Sequence, residues 1–235
     1  MSDTPLFLST LKIDRPAVGL YDTPDIGPFS PIAPKPKRCF FAHYENWMQG
    51  GYTHLTRAHF TCPGCGHWLL DASMRDRVEM LDFLVRGEGL KASCELMGRW
   101  IDHRHGYVPQ YENLIVGPLV AGQEQYLKTI TLFITPDQLS ALMIGTQYFS
   151  EPTDPEPVLC RFGSGCSQLV AQFDDLSQPQ ALVSLTDTAM RQHVPADTLG
   201  LTMTPPMYER LCMLDESSFL SKPFWRQLCK ARGAE

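Results

Sequence analysis

Apolar positions change period several times along this chain, and the changes divide it into elements. Leu139, Leu142, Met143 and Tyr148 recur at helical spacing. Thr135-Pro136-Asp137 stands in front of them: a hydroxyl to cap, a ring that pre-sets φ, a carboxylate in the first turn. The pattern predicts a helix through about Phe149. Residues 72–85 (ASMRDRVEMLDFLV) put Met74, Val78, Leu81 and Val85 on one helical face, and Gly87 and Gly89 end it. Cys39 opens a further helix-like stretch, CFFAHYENWMQGG, which stops at Gly50-Gly51. Strand-like runs follow a different rhythm. Residues 6–20 predict a short element and then a strand over Ala17-Val18-Gly19-Leu20. NLIVGPLV (113–120), KTITLFI (128–134), ALVSLT (181–186) and LGLTMT (199–204) read as strands, and so does VLCRF from Val158. GSGCSQLVAQF then reads as a turn into a helix. Asp187 can cap a short helix TAMRQHV, and Pro205-Pro206 begins another helix.

Two proline-rich stretches punctuate these elements. Residues 21–38 predict a loop or covering arm, since regular helix cannot carry so many prolines. EPTDPEP at 151–157 predicts a surface loop. Strands and helices mix without a strict βαβ repeat, which predicts an α+β fold: one domain over 1–235, a mixed β-sheet with flanking helices.

Composition narrows the function classes. The chain has 235 residues, 43% hydrophobic and 20% charged, enough for a sizeable core. A net charge of −6 argues against a nucleic-acid binder. No run of about 18 apolar residues predicts a membrane span, and the first residues lack the basic start of a signal peptide. The expectation is a cytoplasmic protein whose eight cysteines are thiols or metal ligands rather than disulfides.

Among those cysteines, Cys62 and Cys65 stand out in HFTCPGCGHWLL. Proline fixes one backbone angle and glycine tolerates unusual ones, so both sulfurs can face one point. Such a pair serves zinc, an iron–sulfur cluster or a dithiol couple. A zinc ribbon needs a second pair at the usual spacing, and none is present. Cys166 lies in GSGC, where exposed N–H groups beside Gly165 could support a thiolate or an anion; a buried Cys on a glycine turn is the alternative. For Cys160, Cys212 and Cys229 the expectation is core packing. His67 lies close enough to CPGC to be a ligand or a partner of one, unless Trp68 makes this a hydrophobic anchor. His103 and His105 form an H-x-H pair that suits a metal on a strand, though a polar string of this kind is more often a solvated loop. Asp187 and Arg191 are four apart, which predicts a helix-surface ion pair or an arginine offered to an anionic ligand. No dinucleotide, P-loop or serine-hydrolase motif occurs.

These residues carry a resemblance. From LKIDRPAVGL to SSFLSKPFW the chain resembles the uncharacterised family catalogued as domain of unknown function 169, an archaeal cysteine-rich family. The matching segments are Pro16 to Leu20, Cys39 through Gly50-Gly51, Cys62-Pro63-Gly64, TPDQLSALMIGTQYF, FGSGCSQLV and LVSLTDTAMRQHVPADTLGLTMTP. The resemblance implies that Cys39, Cys62 and Cys166 converge on one site, consistent with a three-cysteine iron–sulfur cluster with one open iron. Cys65 replaces a second glycine common in relatives, and a fourth thiol could close the site.

Three readings follow. The first is an iron–sulfur or other metal site on Cys39, Cys62, Cys65 and Cys166, in redox or sulfur chemistry with a small-molecule or redox partner. The second is a non-enzymatic small-molecule-binding or accessory protein with structural zinc or buried thiols, its pocket near Asp187 and Arg191. The third is a Cys62–Cys65 dithiol. Iron and zinc stay open, because thiolates serve both.

Overall fold

The computed structural model describes residues 4–33, 39–56, 62–71 and 76–233. Its frame is a seven-stranded sheet in the order β2-β3-β1-β4-β7-β6-β5. The strands are β1 (Val18–Thr23), β2 (Thr53–Thr56), β3 (Asn113–Pro118), β4 (Leu127–Ile134), β5 (Val158–Leu159), β6 (Ala181–Ser184) and β7 (Leu199–Met203). Only β5 and β6 run parallel, Val158 opposite Ala181; every other pair is antiparallel. The sheet is therefore mixed, and the fold is α+β as the patterning predicts.

All six residues of β1 are buried, because it lies between β3 and β4 with both faces covered. Period-two alternation sends its side chains to two different cores. Val18 and Leu20 join Leu55, Leu114, Val116 and Phe133 on one face, with Phe41, Tyr44 and Trp47 packed over them. On the other face Ile130, Leu132 and Ile134 of β4 meet Leu201 and Met203 of β7 beneath Phe7, Leu142, Met207 and Leu211.

The helices are α1 (Leu6–Thr10), α2 (Tyr44–Met48), α3 (Pro63–Leu69), α4 (Arg77–Asp82), α5 (Cys94–His103), α6 (Pro136–Gln147), α7 (Pro205–Cys212) and α8 (Pro223–Ala231). α6 starts as expected: Thr135 Oγ1 accepts from Gln138 N while the Gln138 side chain accepts from Thr135 N. α2 is preceded by a 3-10 turn over Phe40–His43 and ends near Gly50, whose φ of +90° suits glycine. α4 runs on through a π turn, Phe83–Gly87; residues 72–75, including Met74, lie outside the described residues.

Several expectations are corrected. β1 runs to Thr23, so the proline-rich segment begins at Pro24, and Phe29 anchors it against Tyr21 and Tyr52 with ring centroids at 4.9 and 5.6 Å. Residues 34–38 of that segment lie outside the described residues. VLCRF forms only the two residues of β5, and Cys160 beyond it is exposed, not core. SQLVAQF and TAMRQHV each form a single 3-10 turn, Ser167–Leu169 and Arg191–His193, rather than a helix. Cys212 is exposed and Cys229 half-buried, because α7 and α8 turn them away from the core. The patterning missed β2, α5 and α8 as elements, and CPGC, read as a tight turn, opens the helix α3.

Candidate metal centre

α3 is short, and its first turn is organised by sulfur. Cys62 is its N-cap in extended conformation (φ −140°, ψ 153°), with proline at the first helical position. Cys62 Sγ accepts from Cys65 N at 3.3 Å, as an aspartate or serine oxygen would in that place. One helical turn then brings Cys65 Sγ to 3.1 Å from Cys62 Sγ. The far end of α3 is stapled to the next layer: Tyr107 N donates to Trp68 O at 2.9 Å, and a Cβ on Gly106 would lie 2.1 Å from His67 O.

The third sulfur arrives from a segment 101 residues away. Cys166 Sγ lies 3.3 Å from Cys65 Sγ, and the three sulfurs all fall within 4.8 Å of one another. Cys65 and Cys166 are buried, and Cys62 is half-buried. The segment around Cys166 is held by side chains instead of by regular structure. Ser167, Gln168 and Gln172 are buried. Gln172 Nε2 donates to Ser167 Oγ at 3.0 Å and to Phe162 O at 3.2 Å. Gln168 bridges to Thr186, and Thr129 Oγ1 of β4 donates to Leu169 O at 2.6 Å. Arg161 caps Gln172 O and pairs with Asp174, whose carboxylate also receives Arg104 at 2.8 Å. An aromatic run joins the layers: Trp68 of α3, Trp100 of α5 and Phe162, with centroid spacings of 5.3 and 5.0 Å. These groups were missed in the sequence. The one signal was two glutamines inside an otherwise apolar run.

Sulfur contact controls protonation. Hydrogen bonding with Cys166 and then with Cys65 holds Cys62 well below the ordinary thiol range. Cys166 is pushed well up by its hydrogen bonds to Cys62 and Cys65 and by burial. At Cys65 the hydrogen bond from Cys166 works downward, but the bond to Cys62 and burial prevail, and its pKa also rises.

Cys39 and His67 stand outside this trio. Cys39 packs against the same core, half-buried. Burial raises its pKa to about 11, and charge on Cys62 and Asp187 pushes the same way, so it lies within electrostatic reach of the site. Burial lowers the pKa of His67, which stands edge-on to Trp68 at 4.5 Å; its buried Nε2 meets no hydrogen-bond partner among the described residues. Asp187 and Arg191 do not pair with each other, since no helix forms to align them. Asp187 accepts from Gly165 N at 2.9 Å and Ala189 N at 2.9 Å. The Gly165 N–H is therefore used within the protein, and a Cβ there would meet Met190 Cγ at 2.8 Å. Arg191 donates to the carbonyls of Thr198, Pro195 and Ala196. His103 ends α5 and His105 follows it; both are exposed, on no strand.

Fold and site together define an α+β protein with a buried cluster of three thiols between its sheet layer and a short capped helix. The chain belongs to the domain of unknown function 169 family, described as uncharacterised ArCR, which it matches over residues 8–213. No curated protein and no solved structure matches it. No helix among the described residues is long and apolar enough to cross a membrane.

Proposed function

We propose that Cys62, Cys65 and Cys166 hold one thiophilic metal ion, and that the protein acts through that ion in redox or sulfur-related chemistry. The supporting observation is the convergence of three sulfurs within 4.8 Å. Thiolates sharing one tetrahedral zinc at about 2.3 Å stand about 3.8 Å apart, so small side-chain adjustments bring the trio onto a single ion. A cubane cluster puts each thiolate on a different iron and needs its sulfurs further apart. Zinc or one ferrous ion therefore fits with less rearrangement than the iron–sulfur cluster. The half-buried side of Cys62 leaves a fourth place for water, for Cys39 or for a small sulfur-containing ligand. The acidic net charge supports a small-molecule or redox partner rather than a nucleic acid.

The test is to purify the protein without oxygen and measure metals and acid-labile sulfide per chain. The expected result is about one metal and no sulfide, with most of the metal lost in Cys65→Ser and Cys166→Ser. Several irons with matching sulfide, or full metal content in both variants, contradicts the proposal.

A further inference from the structure

Cys65 Sγ touches two other sulfurs at once, Cys62 at 3.1 Å and Cys166 at 3.3 Å. Accessibility falls along the same path, from half-buried Cys62 to buried Cys65 and Cys166. A reagent in solution therefore meets Cys62 first, with two more buried thiols within 4.8 Å of it. Cys160 and Cys212 are more exposed, yet among the described residues no other sulfur touches theirs.

We propose that the trio also carries out thiol–disulfide exchange with small disulfides, entering at Cys62 and ending as a buried Cys65–Cys166 disulfide. In the first step the Cys62 thiolate bonds to one sulfur of the external disulfide, whose S–S bond breaks; one thiolate leaves and takes its proton from water. In the second step Cys65 Sγ attacks the Cys62 sulfur of the mixed disulfide, and the second thiol leaves with the Cys65 proton. One external disulfide has then been reduced to two thiols, and Cys62 and Cys65 have been oxidised to a disulfide. In the third step Cys166 Sγ attacks Cys65, the Cys62–Cys65 bond breaks, and the Cys166 proton passes to Cys62. That internal exchange is redox-neutral. It moves the disulfide out of reach of external thiols and frees Cys62. Metal and exchange compete for the same sulfurs, but the exchange requires no metal.

The full-length chain, reduced and kept in a chelator, is treated with oxidised glutathione, quenched in acid over time, alkylated and peptide-mapped. Expected are a Cys62–Cys65 disulfide early and a Cys65–Cys166 disulfide late, while Cys160 and Cys212 stop at mixed disulfides. Cys65→Ser accumulates glutathione on Cys62, and Cys166→Ser stops at Cys62–Cys65. Cys62→Ser slows intramolecular disulfide formation by about tenfold or more. Oxidation scattered over the eight cysteines overturns the proposal, and this outcome also covers a chain unfolded by the chelator. So does a Cys65–Cys166 disulfide that forms at the same rate in Cys62→Ser. Metal content measured on the protein as purified, before the chelator is added, separates the two readings. Bound metal without ordered disulfides sinks the relay alone, and ordered disulfides without metal sink the metal reading alone.

Discussion

A single proton count distinguishes the Cys62–Cys65–Cys166 cluster from three unrelated buried thiols. Cysteine ligates metal as thiolate, so a divalent ion held by these sulfurs must expel the protons that they carry. Titrating Zn2+ into weakly buffered protein at pH 7 is expected to release protons, and affinity is expected to fall as the pH is lowered. Release near zero would mean that the sulfurs are not the ligands. Asp174 offers a second titration, away from the sulfurs. Hydrogen bonds from Arg161, then Arg104, depress its pKa to about 2. The folded pKa lies below the unfolded value of about 3.9, so this contribution is present above pH 4 and lost as the pH falls toward 2. Asp174→Asn should flatten the pH dependence of the thermal midpoint in that window; the effect is small, since the side chain is 59% exposed. Gly106 is a steric control. An alanine Cβ there has no room beside His67 O, and the overpacking should cost about 1–3 kcal/mol in chemical denaturation. A variant of unchanged stability would show that α3 is not clamped at that point.

At the scale of elements, the site depends on how two unlike segments meet. α3 brings two sulfurs by one turn of helix, and the Cys166 segment brings the third by side-chain hydrogen bonds. Thr129→Val should leave Leu169 O unpaired in a buried place, at a cost of about 1–3 kcal/mol, and should weaken metal binding without touching a ligand. Equilibrium unfolding and a metal-competition assay check the two effects. Equal affinity in the variant would mean that the segment positions Cys166 without that tie. The same segment shows why the sequence misleads locally. SQLVAQF has the apolar content of a helix, but Gln168, Gln172 and Ser167 bond to carbonyls and to one another, and the backbone follows them. α5 was hidden for another reason. Gly98 and its charged neighbours dilute a face made by Met97, Trp100 and Ile101. β2 has four residues, too few to show a period. By contrast β1, β3, β4 and β7 were legible, because strands covered on both faces must be apolar along their length. α6 was legible from its apolar spacing and its cap together.

Across the whole molecule, the site sits on a body that does not need it. One core, between β4, β7, α1, α6 and α7, contains none of the three cysteines. Removing the metal should therefore lower the thermal midpoint by the mass-action amount and leave far-UV dichroism intact, unlike a zinc finger. Convergence of Cys62 and Cys166 from distant parts of the chain could not be read from periodicity; it came from the family resemblance, which also brought in Cys39. Cys65, which that implied set did not include, has its sulfur 3.1 Å from Cys62 and 3.3 Å from Cys166. The central claim is that these three sulfurs share one ion, and X-ray absorption of the zinc-loaded protein tests it most directly. The account predicts about three sulfurs at about 2.3 Å with one lighter neighbour or a fourth sulfur from Cys39. Two or fewer sulfurs, or a second metal in the next shell, would contradict it.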